Sequence, residues 1–102
     1  MDLGPGPVEG LGVTPLEAFY GGRRVLVTGH TGFKGGWLST WLARMGAEVT
    51  GFALPPEDGP SYFRDARVDA DVDSHLGDLR DRDAVDAVVA AARPEVVFHL
   101  AA

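Results

Sequence analysis

The chain has 102 residues, 45% of them apolar and 24% charged, a profile that fits one small globular domain. It has no cysteine, which excludes disulfides and thiolate metal centres, and no run of about 18 apolar residues that could cross a membrane as a helix. The net charge of −6 disfavours nucleic acid and anionic membranes as partners.

Met1 to Pro15 is rich in glycine and proline and shows no hydrophobic period, so residues 1–19 are expected to form a mobile arm before a domain over 20–102. Leu16 to Tyr20 could add a short turn packed on that domain. The amino terminus lacks a basic, apolar-cored export signal, which makes the cytoplasm the expected compartment.

Val25, Leu26 and Val27 form a continuous apolar run stopped by Gly29, which predicts a buried parallel strand. Trp37, Leu38, Trp41, Leu42 and Met45 then recur at helical spacing and predict a helix whose apolar stripe, both tryptophans included, packs on a sheet. Gly46 stands where a helix-ending glycine belongs. "EVTGFAL" predicts a second strand, closed by Pro55-Pro56. Residues 57–71 read as a polar connection with at most one helical turn around Tyr62 and Phe63. "VDSHLGD" predicts a third strand. Asp81 then caps a helix carrying Ala84, Val85, Val88, Val89 and Ala92 on one stripe, and "EVVFHLAA" predicts a fourth strand. Acidic residues from Glu57 to Asp86 read as a solvated surface.

This alternation defines an α/β fold with right-handed crossovers. It is the first half of a doubly wound parallel sheet, in the expected order 3-2-1-4. Ligands of such sheets bind at the carboxyl ends of strands 1 and 4, where Gly29 and Ala101-Ala102 fall.

Lys34 lies between Phe33 and Gly35, so the stretch fails the Walker A spacing. Gly29, Gly32 and Gly35 read instead as G-x-x-G-x-x-G between a strand and a helix, the context of a dinucleotide pyrophosphate turn. Gly29 serves the tight turn, Gly32 the approach of the phosphates, and Gly35 the close packing of helix on sheet. Lys34 stands either in solvent or against a phosphate. The second strand ends in Phe52, Ala53 and Leu54, with no acid for the ribose. Asp78 either accepts a hydrogen bond from an adenine amino group or binds its own loop backbone. His30 and His99 have no partner at metal-ligand spacing, which argues against a metal site, and His99 reads as a hydrogen-bonded core residue.

"TGHTGFKG", "GDLRD" and "HLAA" resemble the cofactor motifs of the extended short-chain dehydrogenase/reductase family, the nucleotide-sugar epimerases and dehydratases built on a Rossmann domain. The wording over Tyr20 to Ala102 is similar to the CDP-glucose 4,6-dehydratase branch of that family. The resemblance implies NAD as cofactor, with Gly29, Thr31, Gly32, Phe33, Lys34 and Gly35 at its pyrophosphate turn. It implies Asp78 and Leu79 beside the adenine, and Leu100, Ala101 and Ala102 on the adenosine side. It further implies a nucleotide-sugar substrate, CDP-glucose, and a homo-oligomer. The apolar end of the second strand is shared with that branch.

The family's oxidation step uses a Tyr-x-x-x-Lys pair. Tyr20 and Tyr62 are followed four residues on by Arg24 and Ala66, so no catalytic residue is assigned. The chain is therefore expected to be an amino-terminal fragment, inactive and weak in dinucleotide binding by itself, with an exposed fourth strand and marginal stability. Another NAD(P)-dependent sugar-nucleotide epimerase or dehydratase and a non-catalytic dinucleotide-binding module are the competing readings.

Overall fold

The structure is a computed structural model and describes residues 14–101. Residues 1–13, most of the expected arm, lie outside the described residues. Within the rest of that arm, a helix spans α1 (Pro15–Tyr20). A capping box starts it: the Thr14 hydroxyl accepts from the Glu17 N–H at 3.1 Å, and the Thr14 N–H donates to the Glu17 carboxylate at 3.0 Å. The Thr14 N–H, with a smaller contribution from the Thr14 side chain, holds the Glu17 carboxyl below its ordinary pKa. Residues 15–19, expected within the arm, are therefore helical. Tyr20 packs on the buried cluster, its ring 6.4 Å from that of Phe98.

Four strands follow, β1 (Arg24–Thr28), β2 (Glu48–Ala53), β3 (Asp73–Leu76) and β4 (Val96–His99). They form one parallel sheet in the order β3-β2-β1-β4, as the alternation of strands and helices predicts. Val25 pairs with Val49 on one side and Val96 on the other, so β1 is fully enclosed.

Helix α2 (Phe33–Arg44) covers one face of the sheet. Val25, Val27, Leu42, Met45 and Val49 are the centre of the core between them. The buried residues of the helix are Gly35, Gly36, Ser39 and Leu42, with Gly35 against the turn after β1 and Gly36 against Tyr62 and Val68. This corrects the expected position of the tryptophans. Trp37 is 52% and Trp41 42% exposed, and their rings pair on the outer surface with centroids 5.6 Å apart. The small residues bring α2 too close to β1 for an indole to fit between, so the wide side chains turn outward.

Two short helices, α3 (Tyr62–Asp65) and α4 (Val68–Asp71), occupy the stretch expected to hold at most one turn. Phe63 and Val68 anchor them, both buried. Helix α5 (Arg82–Ala92) begins at Asp81, whose carboxylate accepts from the Ala84 N–H at 3.2 Å. It packs on β1 with no fully buried residue. Val97 on β4 is 54% exposed, so the edge strand keeps an uncovered apolar face.

Helix α5 closes on Arg93, held at φ 47° immediately before Pro94. That left-handed conformation is costly for any residue with a Cβ. Arg93→Gly is expected to stabilise the chain by about 0.5–1 kcal/mol, read as a higher Tm in thermal unfolding. The carbonyl of residue 93 still accepts from Arg24 Nε at 2.7 Å, because that bond uses only backbone oxygen.

Candidate functional site

The carboxyl end of β1 delivers the chain into Gly29, whose φ is +86°. A Cβ here would lie 2.8 Å from the Ala101 N and 2.9 Å from the Leu100 carbonyl carbon. Only glycine lets the turn take this conformation while the segment after β4 passes so close. Gly32 is the N-cap of α2, and a Cβ there would meet nothing nearer than the Gly29 O at 3.6 Å. Gly35, in the first turn of the helix, is buried, and a Cβ on it would overlap the Gly29 carbonyl oxygen.

The start of α2 carries no side-chain cap. Thr14, Ser61 and Asp81 cap α1, α3 and α5 with side-chain oxygens, but a glycine N-cap has none to offer. The first-turn N–H groups of α2 are thus left for an acceptor from outside the helix, and the helix dipole favours an anionic one.

The N-cap Gly32 itself lines a cleft of about 490 Å³ above the ends of β1, β2 and β4, so the start of α2 stands at its edge. Gly29, Thr31, Gly32, Asp78, Leu79, Leu100 and Ala101, seven of the residues named from sequence, line it together. Phe33 instead lines an adjoining cavity of about 740 Å³, which also includes Glu57, Asp58 and Asp65. Lys34 is exposed and borders neither space, which favours its solvent reading; Gly35 lies beneath the turn as a packing residue. Ala102 lies outside the described residues.

Three further residues complete the cleft. Ala53 and Leu54 form the apolar floor at the end of β2, and the Leu54 carbonyl accepts from the Thr31 hydroxyl at 2.9 Å. The third is Arg80, whose signal in the sequence is only its place inside "GDLRD". Asp78 accepts from the Arg80 N–H at 2.8 Å and from its guanidinium at 2.6–3.1 Å. These bonds hold the Asp78 carboxyl down at about 2. Its local-backbone reading is thus realised in the structure. Asp78 also neutralises Arg80, the cation that lines the cleft among the described residues. An anion in the cleft would therefore be met chiefly by backbone N–H groups.

The histidines divide. His30 is fully buried: its Nε2 lies 2.7 Å from the Ser74 Oγ, and its ring stands edge-on to Phe63 at 5.4 Å. Burial, with a smaller contribution from His75, pushes its pKa down to about 4. His99 bonds the Thr28 hydroxyl through Nδ1 at 2.6 Å, yet it is exposed. The core position expected for it is corrected, because the outer face of β4 has no layer over it. Among the described residues, no three His, Asp or Glu side chains gather as a metal would require.

A parallel sheet ordered 3-2-1-4, with a glycine turn and an uncapped helix start at its switch point, defines a Rossmann-type nucleotide-binding architecture. The model of the NAD dependent epimerase/dehydratase family matches residues 25–102, and the chain belongs to that family. It is 51% identical over 84 residues to the CDP-glucose 4,6-dehydratase of Salmonella typhimurium strain LT2, a match covering 82% of this chain and 23% of that protein. Two solved structures are similar. A candidate epimerase from Burkholderia cenocepacia J2315 has a TM-score of 0.64 at 36% identity, over 81% of this chain and 26% of that one. An epimerase from Methanothermobacter thermautotrophicus has a TM-score of 0.66 at 30% identity, over 85% and 25%. The chain thus spans about a quarter of the length of these relatives. No helix among the described residues is long and apolar enough to cross a membrane.

Proposed function

We propose that this chain is the NAD-binding segment of a nucleotide-sugar 4,6-dehydratase that acts on CDP-glucose. The observation that carries the reading is the uncapped start of α2, whose N-cap Gly32 lines the cleft at the ends of β1 and β4. The residues present fit the cofactor. The Gly29 and Gly32 N–H groups are bonded to the Phe52 and Gly29 carbonyls, so the uncapped first turn of α2 is what a pyrophosphate would meet, and Ala53, Leu54, Leu79 and Leu100 give the adenosine end an apolar bed. Glu57, Asp58 and Asp65 line the space next to the end of β2. Their charge disfavours a 2′-phosphate and supports NAD over NADP.

When bound, NAD supplies a reversible hydride acceptor for the sugar. The part of this chain is to hold and orient that cofactor. Proton transfer to and from the sugar is assigned to residues of a longer gene product. A cytoplasmic, homo-oligomeric enzyme completes the proposal. The two structural relatives named as epimerases favour a second reading, an NAD-dependent sugar-nucleotide epimerase.

The test is incubation of the complete gene product with NAD and a panel of nucleoside-diphosphate sugars, read by mass spectrometry. The dehydratase reading expects loss of one water from CDP-glucose. Conversion to a stereoisomer of unchanged mass would favour the epimerase, and no turnover of any sugar would overturn both.

A further inference from the structure

We propose that His30 is a positioning residue that ties the phosphate turn to the adenine wall of the cleft. This rests on the dinucleotide reading above. His30 sits between Gly29 and Thr31, in the middle of the turn, yet its side chain is wholly inside the protein. The ring runs across β2 at Gly51, where any Cβ would overlap the imidazole. It reaches Ser74, which pairs with Gly51 in the β2–β3 register. Ser74 lies four residues before Asp78, which lines the cleft opposite the turn. Phe63 closes over the ring from α3, and a Cβ on Gly36 would lie 3.1 Å from the His30 carbonyl oxygen.

One buried side chain therefore links the pyrophosphate turn, the strand that leads to the adenine wall, and the α3 connection. No other side chain of the turn spans that distance among the described residues: Thr31 reaches only the end of β2. A ligand that touches both walls benefits from their fixed separation, because the walls need no reordering on binding. A ligand that touches one wall gains nothing from it. His30 acts through the backbone it holds and touches no reacting atom.

The test compares ADP-ribose, which spans turn and adenine wall, with adenosine, which lacks the phosphates. The complete gene product is titrated with each, as wild type, Ser74→Ala, Ser74→Thr and His30→Asn. Ser74→Ala removes the hydrogen-bond partner without changing the ring. His30→Asn shortens the side chain so that it cannot cross β2. Both are expected to weaken ADP-ribose about tenfold while adenosine affinity stays the same, and Ser74→Thr, which keeps the hydroxyl, is expected to restore the wild-type ratio. A lower Tm with an unchanged ratio of the two affinities would make His30 a packing residue and overturn the proposal. So would a Ser74→Thr ratio equal to that of Ser74→Ala. Wild type that binds neither ligand would overturn the dinucleotide reading itself, and this proposal with it.

Discussion

Gly35→Ala is expected to abolish dinucleotide binding and to lower stability by about 2–3 kcal/mol. The added methyl would overlap the Gly29 carbonyl oxygen, and that atom is backbone, so no rotamer change can make room. Either α2 moves away from β1 or the turn opens. Moving α2 loosens the packing of its buried Gly36, Ser39 and Leu42, and opening the turn displaces Gly29, Thr31 and Gly32, which line the cleft. Gly36→Ala is the informative contrast. Its methyl would lie 3.1 Å from a Tyr62 ring carbon, which can shift, and 3.1 Å from the His30 backbone oxygen, a tight contact but not the overlap met at Gly35. A gain in helix propensity of up to about 1 kcal/mol offsets that strain. Thermal unfolding and NAD titration of the two variants side by side should show a large loss for Gly35→Ala and a small effect for Gly36→Ala.

Lowering the pH from 7 to 4 is expected to remove about 3 kcal/mol of stability through His30 alone. Burial holds its folded-state pKa at about 4, against 6.5 for a histidine in water. Between those values the unfolded chain carries a proton that the folded chain does not. Stability from this group is therefore complete above pH 6.5, falls as the pH drops through the window, and is spent near pH 4. Marginal proteins have little more than this to lose. The measurement is denaturant unfolding across that window for wild type and for His30→Gln, whose side chain does not titrate. The wild-type curve should fall more steeply, and parallel curves would contradict the burial argument. The lowered carboxyls of Glu17, of Asp78 and of Glu95, which accepts from the Arg24 N–H at 3.0 Å, begin to lose their stabilisation only at the acid end of that window, as the pH falls through the ordinary carboxylate values.

The sheet was legible because parallel strands, enclosed on both faces, appear as short apolar runs such as Val25 to Val27. The turn was legible because a strand, a glycine spacing and a helix together admit few other structures. The helix start at Asp81 followed from one side chain and its spacing.

What stayed hidden has physical causes. Apolar periodicity identifies a helix, but in α2 the contact surface is set by Gly35, Gly36 and Ser39, which carry almost no hydrophobic signal. The tryptophans dominate the pattern and face the other way. Helices of four residues, such as α3 and α4, are too short to show a period. The capping box of α1 was written in Thr14 and Glu17, and its T-x-x-E spacing was the usable signal. The burial of His30 depends on Ser74, 44 residues away, and on the empty space at Gly51. No local pattern carries such a contact.

The central claim is that the turn from Gly29 to the first turn of α2 holds a dinucleotide pyrophosphate. Backbone amide shifts of the isotope-labelled complete gene product, followed by NMR during NAD titration, test it most directly. The account predicts that the largest saturable shifts fall on residues 31–35, with a second group at Asp78–Arg80 and Leu100–Ala101. Saturable shifts centred elsewhere, or none in 31–35, would contradict it.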